Sequence, residues 1–178
     1  MHKIKLTISF LIPVIGLTAL MLTLAGCKSQ NKGETEELTT IEDNNKAFIQ
    51  AYTEDFWNNH NIDAFEKYFN TDFIIHMANG DQNSEQYKGR CQAYFIAFPD
   101  LYITTDDLIA EGDKVTKVWT ANFTHNGEFM GIPATGKQIV VKGIEVFRIV
   151  DGKIVELWAS TDNLGMMQQL DVIPPMGE

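Results

Sequence analysis

The chain has little cysteine and few basic residues. Its 178 residues include only two cysteines, Cys27 and Cys91. It has 14 basic and 24 acidic residues, for a formal net charge of −10. A chain this acidic is a poor binder of nucleic acid or of anionic lipid, because both carry negative charge. Cys27 is predicted to carry a lipid, for reasons that the N-terminal sequence gives. Cys91 then has no partner for an intrachain disulfide and is expected to be a buried small side chain.

Several motifs of metal and cofactor chemistry are also missing. The sequence contains no HExxH, no CxxC, no GxSxG and no glycine-rich phosphate-binding loop, and its four histidines are scattered. We therefore expect no metal and no cofactor, and we expect neither zinc-dependent nor serine-dependent hydrolysis.

The N-terminus has the pattern of a secretory signal. A short basic start is followed by an apolar segment over residues 6–24, so residues 1–26 are predicted to be a signal peptide. The sequence Leu-Ala-Gly-Cys that ends at Cys27 resembles the lipobox of bacterial lipoproteins, in which this cysteine is diacylated. We expect a secreted protein anchored to the cell envelope, on its periplasmic or extracellular face, through the lipid alone. The alternative is an uncleaved transmembrane anchor.

Three helices are predicted ahead of the main strands. Residues 27–39 comprise the lipidated cysteine and a polar, flexible tether. A capping box that starts at Thr39 begins the first helix. Asn61 can cap a second, shorter helix, and an apolar stripe predicts a third over residues 84–98.

The order of the elements indicates the fold class. Helix, helix, strand and helix are followed by a meander of four long strands between residues 101 and 161. This order predicts an α+β fold, in which the N-terminal helices pack on one side of a strongly curved, mainly antiparallel sheet that encloses a pocket. The domain is expected over residues 40–172, with a short tail over 173–178.

One glutamate stands out in the meander. Asp151-Gly152, between two β-rich runs, predicts a two-residue type I′ turn, and counting outward from it places Glu145 opposite Trp158. Glu145 lies in an otherwise apolar row. A carboxylate without water or a cationic partner holds its proton more tightly, which is how a glutamate becomes an acid/base catalyst. The opposite row is also largely apolar, so a solvent-facing glutamate or one at a dimer interface stays an alternative.

The preceding strand carries Trp119 and His125 on one face. His125, at the strand's end, is either a structural residue or a proton carrier near neutral pH. The loop over residues 126–136 is long and contains Phe129, which predicts a lid over a ligand. His76 is ambiguous between a cavity wall and an exposed position. The residues predicted to bind a ligand are His76, Trp119, Phe129, Trp158, Trp57 and Asp162.

A longer pattern resembles a known family. The segment T-H-N-G-E-F-M-G-I-P-A-T-G, followed by V-K-G-I-E-V-F-R-I-V-D-G-K, is similar to the SnoaL-like polyketide cyclases of the NTF2-like superfamily, and the resemblance covers about residues 42–170. It implies the NTF2-like (cystatin-like) cone with a deep apolar pocket, and often a homodimer. In the name-giving cyclases, one acidic residue serves as acid and base in an intramolecular aldol closure without metal or cofactor. Glu145 matches that residue, where many members have aspartate, and His125 matches a histidine near the pocket mouth.

Three functions therefore stand beside one another. The first is a cofactor-free cyclase or isomerase that acts on a small apolar carbonyl compound, with Glu145 and His125 as catalytic residues. The second is an envelope-anchored binding module that holds a small apolar ligand without chemistry. The third is a domain that serves mainly as a dimerisation scaffold, because this kind of fold does not determine function.

Overall fold

The computed structural model describes the backbone of residues 30–174 and the side chains of residues 40–174. The chain divides between Glu36 and Glu37 into two units, and the second contains all the strands described below. The predicted signal peptide, the predicted lipidation of Cys27 and the last four residues lie outside the described residues. Within the described part, no helix combines the length and the apolar character needed to cross a membrane.

Helices and strands follow one another largely in the predicted order. The helical elements are α1 (Gln30–Tyr52), a π-helical turn (Thr53–Asn58), a 3₁₀ turn (Ile62–Ala64), α2 (Phe65–Tyr68), α3 (Ser84–Ala97) and α4 (Asn163–Gln169). The strands are β1 (Phe69–His76), β2 (Gln82–Asn83), β3 (Tyr102–Glu111), β4 (Lys114–Thr124), β5 (Gln138–Val150) and β6 (Lys153–Thr161). The fold class predicted from the sequence is confirmed: helices pack on a curved six-stranded sheet.

The predicted start of α1 at Thr39 is wrong, because the helix already begins at Gln30. Residues 30–38 include three glutamates, which are good helix formers, and only one glycine. The start of α3 is confirmed. Asn83 accepts a hydrogen bond from the Gln86 amide, and the Gln86 side chain accepts one from the Asn83 amide, so this helix has a complete capping box.

The sheet has the order β2-β1-β6-β5-β4-β3. β3, β4, β5 and β6 form the predicted antiparallel meander, and β1 adds to β6 in parallel. The inward row of β5 is buried at Ile139, Val141, Glu145 and Phe147. This burial decides the face that the sequence left open: the row with Glu145 faces the helices.

The hairpin turn is as predicted, but the register beyond it is not. Asp151 and Gly152 have φ values of 50° and 70°, as a type I′ turn requires. A β-bulge follows. Ile149 pairs with Ile154, and its neighbour Arg148 pairs with Glu156, so Val155 has no partner on β5 and is an extra residue in β6. An extra residue reverses every later side chain in a strand.

The predicted pairing of Glu145 with Trp158 is therefore wrong. Glu145 lies opposite Ala159, and Trp158 pairs with Val146 on the outer face. The bulge allows both Ile154 and Leu157, which are three positions apart, to be fully buried. Burial of these two apolar side chains favours the bulged register.

Candidate functional site

A cavity of about 460 Å³ lies between the inner face of the sheet and the helices. The sheet side of its wall comes from β3, β4, β5 and β6, and the other side comes from α3, α4 and the segment after β1. Most of the lining side chains are apolar or aromatic, with a few polar groups among them. This combination is typical of a site for a small organic molecule.

Glu145 brings a carboxylate into this wall. It is only 8% exposed, and its Oε2 lies 2.9 Å from Nζ of Lys117 on β4. Lys117 faces Glu145 directly in the β4–β5 ladder, so two paired strands hold the ion pair in place. The expectation that this carboxylate has no cationic partner is therefore wrong.

Lys117 lies behind the cavity wall. It is fully buried and is not one of the lining residues. Its ammonium contacts Thr53 Oγ1 at 3.4 Å and lies 5.6 Å and 5.3 Å from the ring centroids of Tyr52 and Phe147. Aromatic faces attract a cation, so these rings help to hold the charge where water does not reach it. Lys117 can therefore act on a ligand only through Glu145.

Trp119 provides a hydrogen-bond donor without a partner. Its indole lines the cavity and is 8% exposed, and its Nε1 is buried with no hydrogen-bond partner among the described residues. Gly143, opposite on β5, makes room for the ring: a Cβ there would lie 2.3 Å from Cζ2 of Trp119. A buried donor left unpaired is costly, so an acceptor atom of a ligand is a favourable partner for this N–H.

Three tyrosines surround the site without adding charge. Tyr87 and Tyr94 line the cavity, and Tyr52 lies behind it. Burial raises the pKa of the Tyr52 phenol well above its ordinary value, and the negative charge of Glu145 raises it further. Burial also raises the pKa values of Tyr87 and Tyr94. All three phenols are therefore neutral at neutral pH.

Comparison with known proteins identifies the family. The model of the SnoaL-like polyketide cyclases matches residues 47–170. The chain belongs to the SnoaL-like polyketide cyclase family. The family predicted from the sequence is thereby confirmed. A search of curated proteins found no match.

Solved structures with the same fold include three that are informative. AclR, a proposed hydroxylase from Streptomyces galilaeus, is 27% identical with a TM-score of 0.72, over 77% of this chain and 87% of AclR. IdmH, a proposed polyketide cyclase from Streptomyces antibioticus, is 30% identical with a TM-score of 0.63, over 72% of this chain and 99% of IdmH. A proposed polyketide cyclase from Acidithiobacillus ferrooxidans is 31% identical with a TM-score of 0.65, over 71% of this chain and 94% of its own. The match covers nearly all of the IdmH chain, so that solved structure consists almost entirely of this domain.

In this SnoaL-like domain, His125 lies directly after β4 but not at the cavity wall. It is fully buried, its ring lies 5.5 Å from that of Phe98, and its Nδ1 lies 3.1 Å from Thr135 Oγ1. Its backbone amide donates to the carbonyl of Lys137. These contacts fix the end of β4. His125 is not one of the lining residues, and its predicted catalytic role stays a prediction.

His76 and Trp158 lie together on the outer face, away from the cavity. Their rings stack with centroids 4.8 Å apart. His76 also contacts two carboxylates, Asp81 at 3.1 Å and Glu156 at 3.5 Å. The expectation that Trp158 faces the cavity is wrong, because the bulge at Val155 turns it outward. Of the two positions considered for His76, the structure therefore shows the outer one and not the cavity wall.

Phe129 supports the wall from behind. It is buried, and its ring lies 4.9 Å from that of Tyr94, which lines the cavity. The loop over residues 126–136 contributes none of the lining side chains in the described structure. Instead, its Asn126 amide donates to the carbonyl of Ala97 at the end of α3. The prediction that this loop covers the ligand as a lid is therefore not supported by its position.

The structure places Trp57 in the cavity wall and Asp162 beside it. Trp57 comes from the π-helical turn, and its Nε1 donates to the Tyr52 hydroxyl at 2.7 Å. Asp162 is the N-cap of α4 and accepts a hydrogen bond from the Gly165 amide at 2.8 Å. The residues on both sides of Asp162 line the cavity, but Asp162 does not.

Sequence reasoning missed Lys117 and Arg90, a cationic residue of the cavity wall. A signal for Lys117 was present, because it is a charged residue in an apolar row, as Glu145 is in the neighbouring strand. The β4–β5 register was needed to bring the two together, and the long loop between these strands does not determine a register. For Arg90 the sequence gives no signal beyond its place beside the helix stripe.

Proposed function

We propose that this domain catalyses a cofactor-free proton transfer on an apolar carbonyl compound, which leads to aldol cyclisation or to isomerisation. One observation carries the proposal: the carboxylate of Glu145 meets an apolar cavity on one side and the buried ammonium of Lys117 on the other. A positioned carboxylate of this kind is a general base. Family membership adds support, since the family is named for cyclases.

The first step is removal of a proton. The Glu145 carboxylate takes a proton from a carbon beside a carbonyl, the C–H bond breaks, and its electron pair forms an enolate with negative charge on oxygen. The unpartnered N–H of Trp119 donates to this oxygen. Lys117 is a positioning residue, because its ammonium holds the carboxylate in place.

The second step depends on the substrate. In a cyclisation, the enolate carbon attacks another carbonyl carbon of the same molecule, a C–C bond forms, and the resulting alkoxide takes the proton back from Glu145. In an isomerisation, the proton returns to a different carbon. Substrate and product are isomers in both cases, so no oxidant or reductant is needed. Enclosure in the apolar cavity favours the folded, reactive arrangement of the substrate.

The experiment is hydrogen exchange on a panel of apolar ketones such as tetralone. Fragment Glu37–Glu178 and its Glu145→Gln variant are incubated with each ketone in deuterium oxide, and NMR follows the loss of the C–H signal beside the carbonyl. We expect the variant to exchange about 10²- to 10⁴-fold more slowly. Equal rates in the two proteins would contradict the proposal. Ketones that bind without any catalysed exchange would instead favour the non-catalytic binding module.

The N-terminal sequence supports a second, separate proposal about location. We propose that Cys27 is diacylated and anchors the protein to the cell envelope. Mass spectrometry of the expressed full-length protein should find the lipid on Cys27, and Cys27→Ser should release the protein from the membrane fraction. A homodimer, which the family resemblance implies, stays a prediction that sedimentation of the fragment can test.

A further inference from the structure

Arg90 on α3 is a cation in the cavity wall with few partners. Its guanidinium lies 5.0 Å from the ring centroid of Tyr87 and directs one N–H at the sulfur of Met77, and both of these residues also line the cavity. A thioether sulfur is a weak acceptor, and a guanidinium has five N–H donors. No carboxylate of the described residues lies within ion-pair distance of Arg90, in contrast to Lys117 and Arg148.

The charge balance of the cavity is therefore positive. Arg90 and Glu145 are the charged residues among the described lining residues, and Lys117 already balances Glu145. The chain as a whole carries a formal net charge of −10. An uncompensated cation in a mostly apolar wall attracts an anion much more strongly than it would in water. Its unpaired donors also favour a ligand that brings acceptor atoms.

We propose that Arg90 binds a carboxylate of the ligand, so that the substrate class is an oxo acid with an apolar body. A guanidinium presents two parallel N–H groups that match the two oxygens of a carboxylate. The aromatic and aliphatic side chains of the wall enclose the body. This inference rests on the proposed function, because it assigns the two ends of one molecule: the carboxylate to Arg90, and the enolisable carbonyl to Glu145 and Trp119.

The position of Arg90 determines how an oxo acid would lie in the cavity. Arg90 belongs to the helical wall of the cavity, whereas Glu145 and Trp119 belong to the sheet wall. A carboxylate held at the helical wall keeps its negative charge away from the catalytic carboxylate on the sheet. The same contact orients the body of the ligand, so that one end of the molecule is presented to Glu145.

Two fluorescent probes of the same shape test the inference. Anilinonaphthalene sulfonate and phenylnaphthylamine share a naphthyl–aniline body, and only the first carries an anionic group, which stands in for the carboxylate. Both are titrated into the fragment Glu37–Glu178, which is a compact unit and contains all residues of the family match. The proteins compared are the unsubstituted fragment, Arg90→Gln, Arg90→Lys and, as the matched control, Arg148→Gln. Circular dichroism of each variant verifies the fold.

The expected result separates the two probes. Arg90→Gln should raise the Kd of the anionic probe about 10- to 100-fold and leave the Kd of the neutral probe within about twofold. Arg90→Lys should give an intermediate Kd for the anionic probe, because it keeps the charge but loses the paired donors. Arg148→Gln should change neither value, since Arg148 lies outside the cavity lining.

Three results would contradict a carboxylate site at Arg90. If Arg90→Gln weakens both probes equally, or if Arg148→Gln weakens the anionic probe as much as Arg90→Gln does, the carboxylate site is overturned. An unchanged Kd for the anionic probe in Arg90→Gln overturns it as well. In each of these cases the neutral probe still binds the unsubstituted fragment, and the proposed proton transfer stands. If neither probe binds the unsubstituted fragment, the cavity is not a site for an apolar ligand, and both proposals fall together.

Discussion

Two carboxylate–cation pairs join neighbouring strands of this sheet, one on each face. The inner pair, Glu145 and Lys117, has side chains that are 10% and 0% exposed. The outer pair, Glu156 and Arg148, has side chains that are 26% and 41% exposed. In the sequence all four are charged residues within β-rich runs.

The difference between the pairs is their access to water. Water and a second carboxylate, Asp113, compete for Arg148, so the outer pair is expected to contribute about 0–1 kcal/mol. The inner ions have lost their hydration, and each is the main compensation for the other. A pair of this kind adds little net stability, yet it holds a charged group in an apolar cavity where catalysis can use it. Solvent access, rather than the kind of contact, decides which pair can serve as a site.

The largest expected effect comes from breaking the inner pair. Lys117→Met should lower the free energy of unfolding by about 3–5 kcal/mol, because it leaves a buried carboxylate without compensation. Arg148→Met should cost about 1 kcal/mol or less. Urea unfolding of both variants measures the contrast. In the double variant Lys117→Met/Glu145→Leu most of the loss should be recovered, and similar losses in the two single variants would contradict the difference drawn between the faces.

Two tryptophans give the next contrast. Trp119→Phe keeps a ring in the cavity wall but removes the N–H, so it should slow the ketone exchange about 10²- to 10³-fold. Trp158→Phe makes the same change on the outer face and should leave the rate unchanged. NMR exchange on the fragment measures both. If the rate of Trp119→Phe equals that of the unsubstituted fragment, the indole N–H is not the donor to the enolate.

Gly143→Ala should have a smaller effect on the inner face. The added Cβ would lie 2.3 Å from Cζ2 of Trp119 and 3.0 Å from the carbonyl oxygen of Ser160, so the indole must move. We expect a loss of about 1–3 kcal/mol by urea unfolding, together with weaker binding of phenylnaphthylamine. Ile144→Ala, at a position that is 49% exposed, is the control and should stay within about 0.5 kcal/mol. If Gly143→Ala has the same stability and the same Kd for phenylnaphthylamine as the unsubstituted fragment, the indole of Trp119 can move without cost and the close packing at Gly143 is not required.

The smallest effect concerns a surface carboxylate and depends on pH. Hydrogen bonds from Lys67, then Asn61 and Tyr68, lower the pKa of Asp55 to about 2. The folded pKa lies below the unfolded value of about 3.9, so the stabilisation is complete above that value and disappears as the pH falls through about 2. Asp55→Asn should therefore be less stable than the unsubstituted fragment at neutral pH and equally stable near pH 2, as measured by urea unfolding. If the difference in stability between the two proteins persists near pH 2, the ionised form of Asp55 is not its cause.

Much of the fold followed from local signals. The Asp151-Gly152 turn, the helical stripe of α3 and the alternating strands of the meander each depend on residues close together in the chain. The catalytic candidate Glu145 was found in the same way, since a carboxylate in an apolar row is a local irregularity.

Three features of the site that escaped prediction depend on contacts between distant segments. The bulge at Val155 exists because Ile154 and Leu157 both gain burial against the helices, which no count along the strand reveals. The partner of Glu145 depends on the β4–β5 register. His125 was misplaced because proximity to the cavity is decided by the packing of Phe98 and of the following loop.

The bulge at Val155 also has an evolutionary consequence. Loss of that single codon would remove the bulge and restore uninterrupted alternation in β6, but it would leave every later pair as it is, with Trp158 opposite Val146 and Ala159 opposite Glu145. The strand can therefore gain or lose one residue at this point without changing the side chains that face the pocket. Related genes that differ by one residue here would be expected to keep the same pocket wall.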